Sequence, residues 1–120
     1  MKQVLIIEND LFFSSKITAT LLQLGYKSLV AHKPAEVRTL LKQGNVALVI
    51  LDLLIDGLDT ITLVEELKSN PSLADIPVIA FAEHTETELL HKAREGGCEI
   101  VVSNRGIVKD LKDLVEASLA

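Results

Sequence analysis

A chain of 120 residues, 48% hydrophobic and 24% charged, can bury one core and has no room for two. A net charge of −5 and the lack of any Lys/Arg run exclude the electrostatic footprint of nucleic-acid binding. The longest aliphatic run is far too short to cross a bilayer, acids at Glu8 and Asp10 come too early for a signal peptide, and a lone Cys98 excludes an internal disulfide, so a cytoplasmic domain is expected.

Two kinds of pattern alternate along the chain. Gln3–Glu8 is a short aliphatic run, a buried strand. Leu11–Leu24 carries Phe13, Ile17, Leu21 and Leu24 on one helical stripe, and Gly25 stands where a helix C-cap belongs. Tyr26–Ala31 reads as a weaker strand. Pro34 opens a helix that runs to Gln43, with Val37, Leu40 and Leu41 apolar.

Val46–Leu51 has no polar side, so both of its faces must be covered. Asp59–Ser69 is helical, with Ile61, Val64 and Leu67 turned inward. Val78–Ala82 gives a fourth strand, and Thr85 with Glu88 forms an S/T-x-x-E box that opens a helix reaching Glu95. Ile100–Ser103 is the fifth strand. Ile107, Leu111, Leu114 and Val115 set the period of the last helix.

Five strands alternating with five helices predict a doubly wound α/β sandwich built on a parallel sheet. Ligands of such sheets bind beyond the carboxyl ends of the strands. The residues there are Glu8, Asn9, Asp10, Asp52, Ala82, Glu83, His84, Ser103, Asn104 and Arg105. Glu8 and Asp10 follow strand one and Asp52 ends strand three, so three acids are expected near one another. Convergent carboxylates repel unless a hard cation lies between them, and Mg²⁺ suits oxygen ligands. Asp10 also stands where the first helix needs a cap.

The stretches VLIIEND, LVILDLLIDGLDT, DIPVIAFAEH and AREGGCEIVVSNRG, in this order and spacing, resemble the response-regulator receiver domains of two-component signalling. The resemblance covers essentially the whole chain, as one domain with no output domain attached. It implies a flavodoxin-like sheet in the order 2-1-3-4-5. It also implies a phosphoacceptor at Asp52, served by a histidine kinase or a small phosphodonor, and a Mg²⁺ site at Glu8, Asn9, Asp52 and the carbonyl of Leu54. The domain would then be a signalling module rather than an enzyme. Its partners would be other signalling proteins, and a homodimer would form through the face made by helix four, strand five and helix five. Arg94, Glu99, Lys109 and Lys112 fall on that face.

Several positions depart from the family pattern. The hydroxyl that ends strand four is Ala82, the lysine that ends strand five is Asn104, and the proline after it is Arg105. The aromatic of strand five is Val101. In the loop after the acceptor, Asp56 and Thr60 replace Pro and Gly. Asn9 offers a neutral amide where a carboxylate is expected, and Glu8 is one methylene longer than Asp.

Phosphoryl transfer depends on positioning and charge neutralisation, and each missing charge-assisted hydrogen bond costs about 1.5–3 kcal/mol. An acid and a cation are missing together, however, so the net charge of the site stays balanced. Asp10, Arg105 and His84 are the candidate substitutes. Phosphorylation is therefore expected to be disfavoured, Mg²⁺ weakly held or absent, and the domain to act by protein contact. The alternatives are a working Mg²⁺-dependent phosphoacceptor and, more remotely, a small metal-dependent hydrolase. Val101 is stiff at χ1 and Ala82 has no hydroxyl, so coupled switching is expected to be weak. His32, His91 and Cys98 have no metal-ligand spacing. Asp56 reads as a turn acid and Asp59 as an acid at a helix N-terminus. No glycine-rich nucleotide loop is present.

Overall fold

The computed structural model describes residues 2–119. In chain order the elements are β1 (Gln3–Ile7), α1 (Leu11–Gln23), β2 (Ser28–Ala31), α2 (Pro34–Lys42), β3 (Val46–Asp52), α3 (Thr60–Ser69), β4 (Val78–Ala82), α4 (Thr87–Glu95), β5 (Ile100–Ser103) and α5 (Asn104–Leu119). All strands are parallel, in the order β2-β1-β3-β4-β5. None of the described helices is long and apolar enough to cross a membrane.

Alternation along each strand divides the core in two. Val4, Ile6, Leu48, Ile50, Ile79 and Phe81 point to one face, where Ile17 and Leu21 of α1 and Ile107, Leu111 and Val115 of α5 cover them. Leu5, Ile7, Val49, Leu51, Val78 and Ala80 point to the other, beneath Val37 and Leu41 of α2, Leu63, Val64 and Leu67 of α3, and Leu90 and Ala93 of α4. The unbroken apolar run of β3 follows from this double cover, because a central parallel strand has no wet side.

Helix termini follow local chemistry with one exception. Pro34 occupies the first turn of α2, and Gly25, at φ +86°, leaves α1 in the left-handed region. Asp59 caps α3, its Oδ1 accepting the Thr62 N–H at 3.1 Å, which holds its carboxyl below the usual range. The expected Thr85–Glu88 box does not form. α4 starts later, with Glu86 at the cap and no side-chain cap bond there, because the backbone turn from Glu83 to Glu86 already uses Thr85. β2 starts at Ser28 rather than Tyr26, since Tyr26 N–H turns back to the Leu21 carbonyl as α1 ends.

The loop after α3 is closed by Lys68. Its Nζ donates to the carbonyls of Ala74 and Ile76 and to Glu99, whose Oε1 also accepts the Val78 N–H at 2.8 Å. Glu99, expected on a docking face, is thus tied into the chain.

Candidate functional site

The carboxyl edge of the sheet brings the ends of β1 and β3 side by side, with Ile7 opposite Leu51 in register. Glu8, one residue past β1, is buried at 1% exposure. Its Oε1 accepts the backbone N–H groups of Asn9 and Asp10, both at 2.9 Å. Its Oε2 is buried and receives no N–H or O–H. Asp52, half buried at the end of β3, accepts the Leu54 N–H on Oδ1 at 3.0 Å.

Burial raises the pKa of both acids, and each also acts on the other. Glu8 is pushed up to about 8, first by burial and then by the adjoining Asp52. Asp52 is also raised by burial, helped by the charge of Asp10 and opposed by hydrogen bonds from Glu8 and the Leu54 amide. Burial and the adjoining Asp52 thus both favour the neutral form of the Glu8 carboxyl.

Asp10 does not join that pair directly. Its Oδ1 accepts the Phe12 and Phe13 N–H groups at 2.8 and 3.4 Å, capping α1. Asp10 thus serves the helix through Oδ1 while its charge still reaches Asp52. Among the described residues no three His, Cys, Asp or Glu side chains gather around a common point. Asn9 is exposed beside the pair, and Leu54 is exposed with its amide on Asp52.

Behind Asp52 the loop is pinned from below. Thr60 is buried, and its hydroxyl donates to the Leu53 carbonyl at 2.7 Å, while Gly57 turns the chain at φ +80°. Thr60→Val keeps the shape and removes that donor. It is expected to lower unfolding free energy by about 1–3 kcal/mol, the cost of an unsatisfied buried carbonyl, as read from urea denaturation.

Ala82 ends β4 buried, opposite Ser103 of β5. The Ser103 hydroxyl accepts the Gly106 N–H at 3.0 Å and caps α5. No loop separates β5 from α5, so Asn104 opens the helix, and its Nδ2 donates to Glu83 Oε1 at 2.9 Å. Sequence reasoning placed Glu83 and Ser103 at this edge but gave them no role. The adjacency of β4 and β5 is what makes them partners. Arg105 and His84 are exposed. Val101 is half buried against the α2–α4 side. All peptide bonds among the described residues are trans, that of Asn104–Arg105 included. Burial pushes the Cys98 thiol up to about 11, which keeps it protonated and packed.

The residues present fit a divalent cation to a limited extent. The orphaned Glu8 Oε2 beside the Asp52 carboxylate is a place where a cation would displace a proton. The donors are few, because Asp10 is engaged elsewhere and Asn9 is neutral.

Residues 4–116 match the response regulator receiver domain family. A curated relative, the probable transcriptional regulator ycf29 of Pyropia yezoensis, is 29% identical over 96 residues, which is 80% of this chain and 43% of that protein. The chain thus spans less than half the length of that relative. Among solved structures, the signal receiver domain of a signal transduction histidine kinase from Syntrophus aciditrophicus superposes with a TM-score of 0.87 at 23% identity, covering 99% of this chain and 90% of that one. A response regulator structure from Chloroflexus aurantiacus gives 0.89 at 19%, covering 98% and 97%. The beryllofluoride-activated NtrC4 receiver domain dimer gives 0.86 at 21%, covering 99% and 97%. At these identities the structures attest the fold. Such domains are generally non-catalytic, generally bind Mg²⁺ at the phosphorylation site, and interact with histidine kinases and other signalling proteins. By its family match, by the 2-1-3-4-5 sheet and by the acid pair at its carboxyl edge, the chain belongs to the response regulator receiver domains of two-component signalling.

Proposed function

We propose that this receiver domain signals chiefly through contact with other signalling proteins, and that phosphorylation of Asp52 contributes little. The observation that carries this is the hydrogen bond from Asn104 to Glu83 beside Ala82. The edge next to Asp52 thereby presents a methyl group and a paired amide, not a hydroxyl and a cation. A phosphoryl dianion placed on Asp52 would meet Glu83 and Asp10 with neither of those helpers, and each such loss costs about 1.5–3 kcal/mol.

On this proposal the 120 residues work as one receiver unit in the cytoplasm, where signalling kinases and their targets meet. Mg²⁺, weakly held, would lie on Glu8, Asp52 and the Leu54 carbonyl, with Asn9 as a neutral neighbour. When bound it would neutralise the acid pair and part of the charge of an incoming phosphoryl group. The exposed Arg94, Lys109 and Lys112 on α4 and α5 offer a contact face for a partner or a second copy. The chain's own acids, as on its net charge of −5, would complement them.

A second reading keeps Asp52 as a working phosphoacceptor. It is favoured by the orphaned oxygen of Glu8, which is poised for a cation. An amide NMR titration with Mg²⁺ and then beryllofluoride separates the two. Surface signalling predicts shifts confined to the neighbourhood of Glu8, Asp52 and Leu54, or none at about millimolar Mg²⁺. Saturable shifts that spread through α4 and β5 would overturn it in favour of the second reading.

A further inference from the structure

Away from the residues of the acid pair, α2 and α3 flank an open cleft of about 150 Å³. Leu41 of α2, Leu63 and Leu67 of α3, and Leu73 of the following loop wall it. Its rim is cationic. Arg38 Nη2 pairs with Glu66 Oε1 at 3.2 Å across the two helices, and each neutralises the other. Lys42, exposed in the last turn of α2, lines the same rim and takes part in none of the ion pairs among the described residues. One uncompensated positive charge is left over four leucines, on a chain whose net charge is −5.

The bland account is that Lys42 simply faces the last carbonyls of α2, which favour a cation. That accounts for the charge but not for the apolar space beneath it. A cleft walled by four leucines and open to solvent is stabilised when an apolar group covers it. None of the residues that line the cleft belongs to the acid pair or to the loops that carry it.

We propose that the cleft between α2 and α3 binds a small amphipathic anion, its apolar body among Leu41, Leu63, Leu67 and Leu73 and its carboxylate on Lys42. A ligand there would add a bridge between two helices whose exposed edges are joined by the Arg38–Glu66 pair, and so would give the domain an input separate from Asp52. Binding itself does not depend on how Asp52 behaves. The test below uses neither Mg²⁺ nor a phosphoryl mimic, so its failure would leave the proposed function untouched.

Hexanoate is the probe, with hexanol as its uncharged counterpart, followed by methyl NMR of the full chain. Hexanoate should give saturable shifts at the methyls of Leu41, Leu63, Leu67 and Leu73, with hexanol binding roughly two- to fivefold more weakly for want of the exposed ion pair with Lys42. Lys42→Met, a change at an exposed position that spares the fold, should weaken hexanoate by about the same factor and leave hexanol unchanged. Equal binding of the two probes, or an unaltered hexanoate affinity in Lys42→Met, would overturn the anion site. An absence of saturable shifts up to about 10 mM would overturn the cleft as a binding site altogether.

Discussion

Replacing Glu8 by Gln stabilises the domain at pH 8 and removes most of its pH dependence between about pH 4.5 and 8. The Glu8 carboxyl has a folded pKa of about 8 against an ordinary value of 4.5. Between those values the folded chain holds a proton that the unfolded chain has released, so stability falls as pH rises through this window. Below it both states are protonated, and above it both are ionised. Asp52, also raised, lowers stability in the same direction as pH climbs above its ordinary 3.8, whereas Asp59, lowered by its cap bond, acts only below that value.

Gln has nearly the same shape and no proton to lose, and its amide N–H₂ can donate to Asp52 in place of the carboxyl. The gain at pH 8 should be on the order of 2 kcal/mol, or roughly 5–10 °C in Tm. Thermal melts with a chelator present, at pH 5 and pH 8, measure it directly. A wild-type melting temperature that rises with pH, or a variant no more stable at pH 8, would contradict a neutral buried Glu8.

On the proposed function, a hydroxyl and a cation placed beside Asp52 should favour its phosphorylation. Ala82→Thr together with Asn104→Lys supplies a hydroxyl and a cation where Asp52 has neither. Each interaction is worth about 1.5–3 kcal/mol toward a charged group, so the pair should raise the rate of Asp52 phosphorylation by a small acyl phosphate about 10²-fold or more. Glu83 lies 2.9 Å from the Asn104 amide and would compete for the new cation. Adding Glu83→Ala should therefore raise the rate again, and Asp52→Asn should abolish the signal in every background. Intact-protein mass spectrometry reads the modified fraction over time. If the double variant were no faster than the parent, the altered residues would not be what limits the chemistry.

Most of the architecture was legible because it depends on periodicity. The apolar run of β3 implied cover on both faces, and the stripes of α1 and α5 supplied it for one of them. Gly25 and Pro34 marked helix ends because each answers a backbone requirement only a few atoms away. The Thr85–Glu88 motif misled for a complementary reason. A capping box states what a helix could do at its start, but the turn from Glu83 to Glu86 had already fixed where α4 begins.

The site divides along the same line. By itself the sequence determined that Glu8 and Asp52 sit at one edge of the sheet and that Ala82 and Asn104 stand at the ends of the strands that follow. Only the tertiary structure decided how those groups are used. It set Asp10 to cap α1, buried Glu8 beside Asp52 so that its neutral form is favoured, joined Asn104 to Glu83, and left a leucine-lined cleft between α2 and α3. Strand order and residue type follow from patterns within a few residues of chain. Protonation, pairing and empty space follow from which distant atoms meet and how much water remains between them.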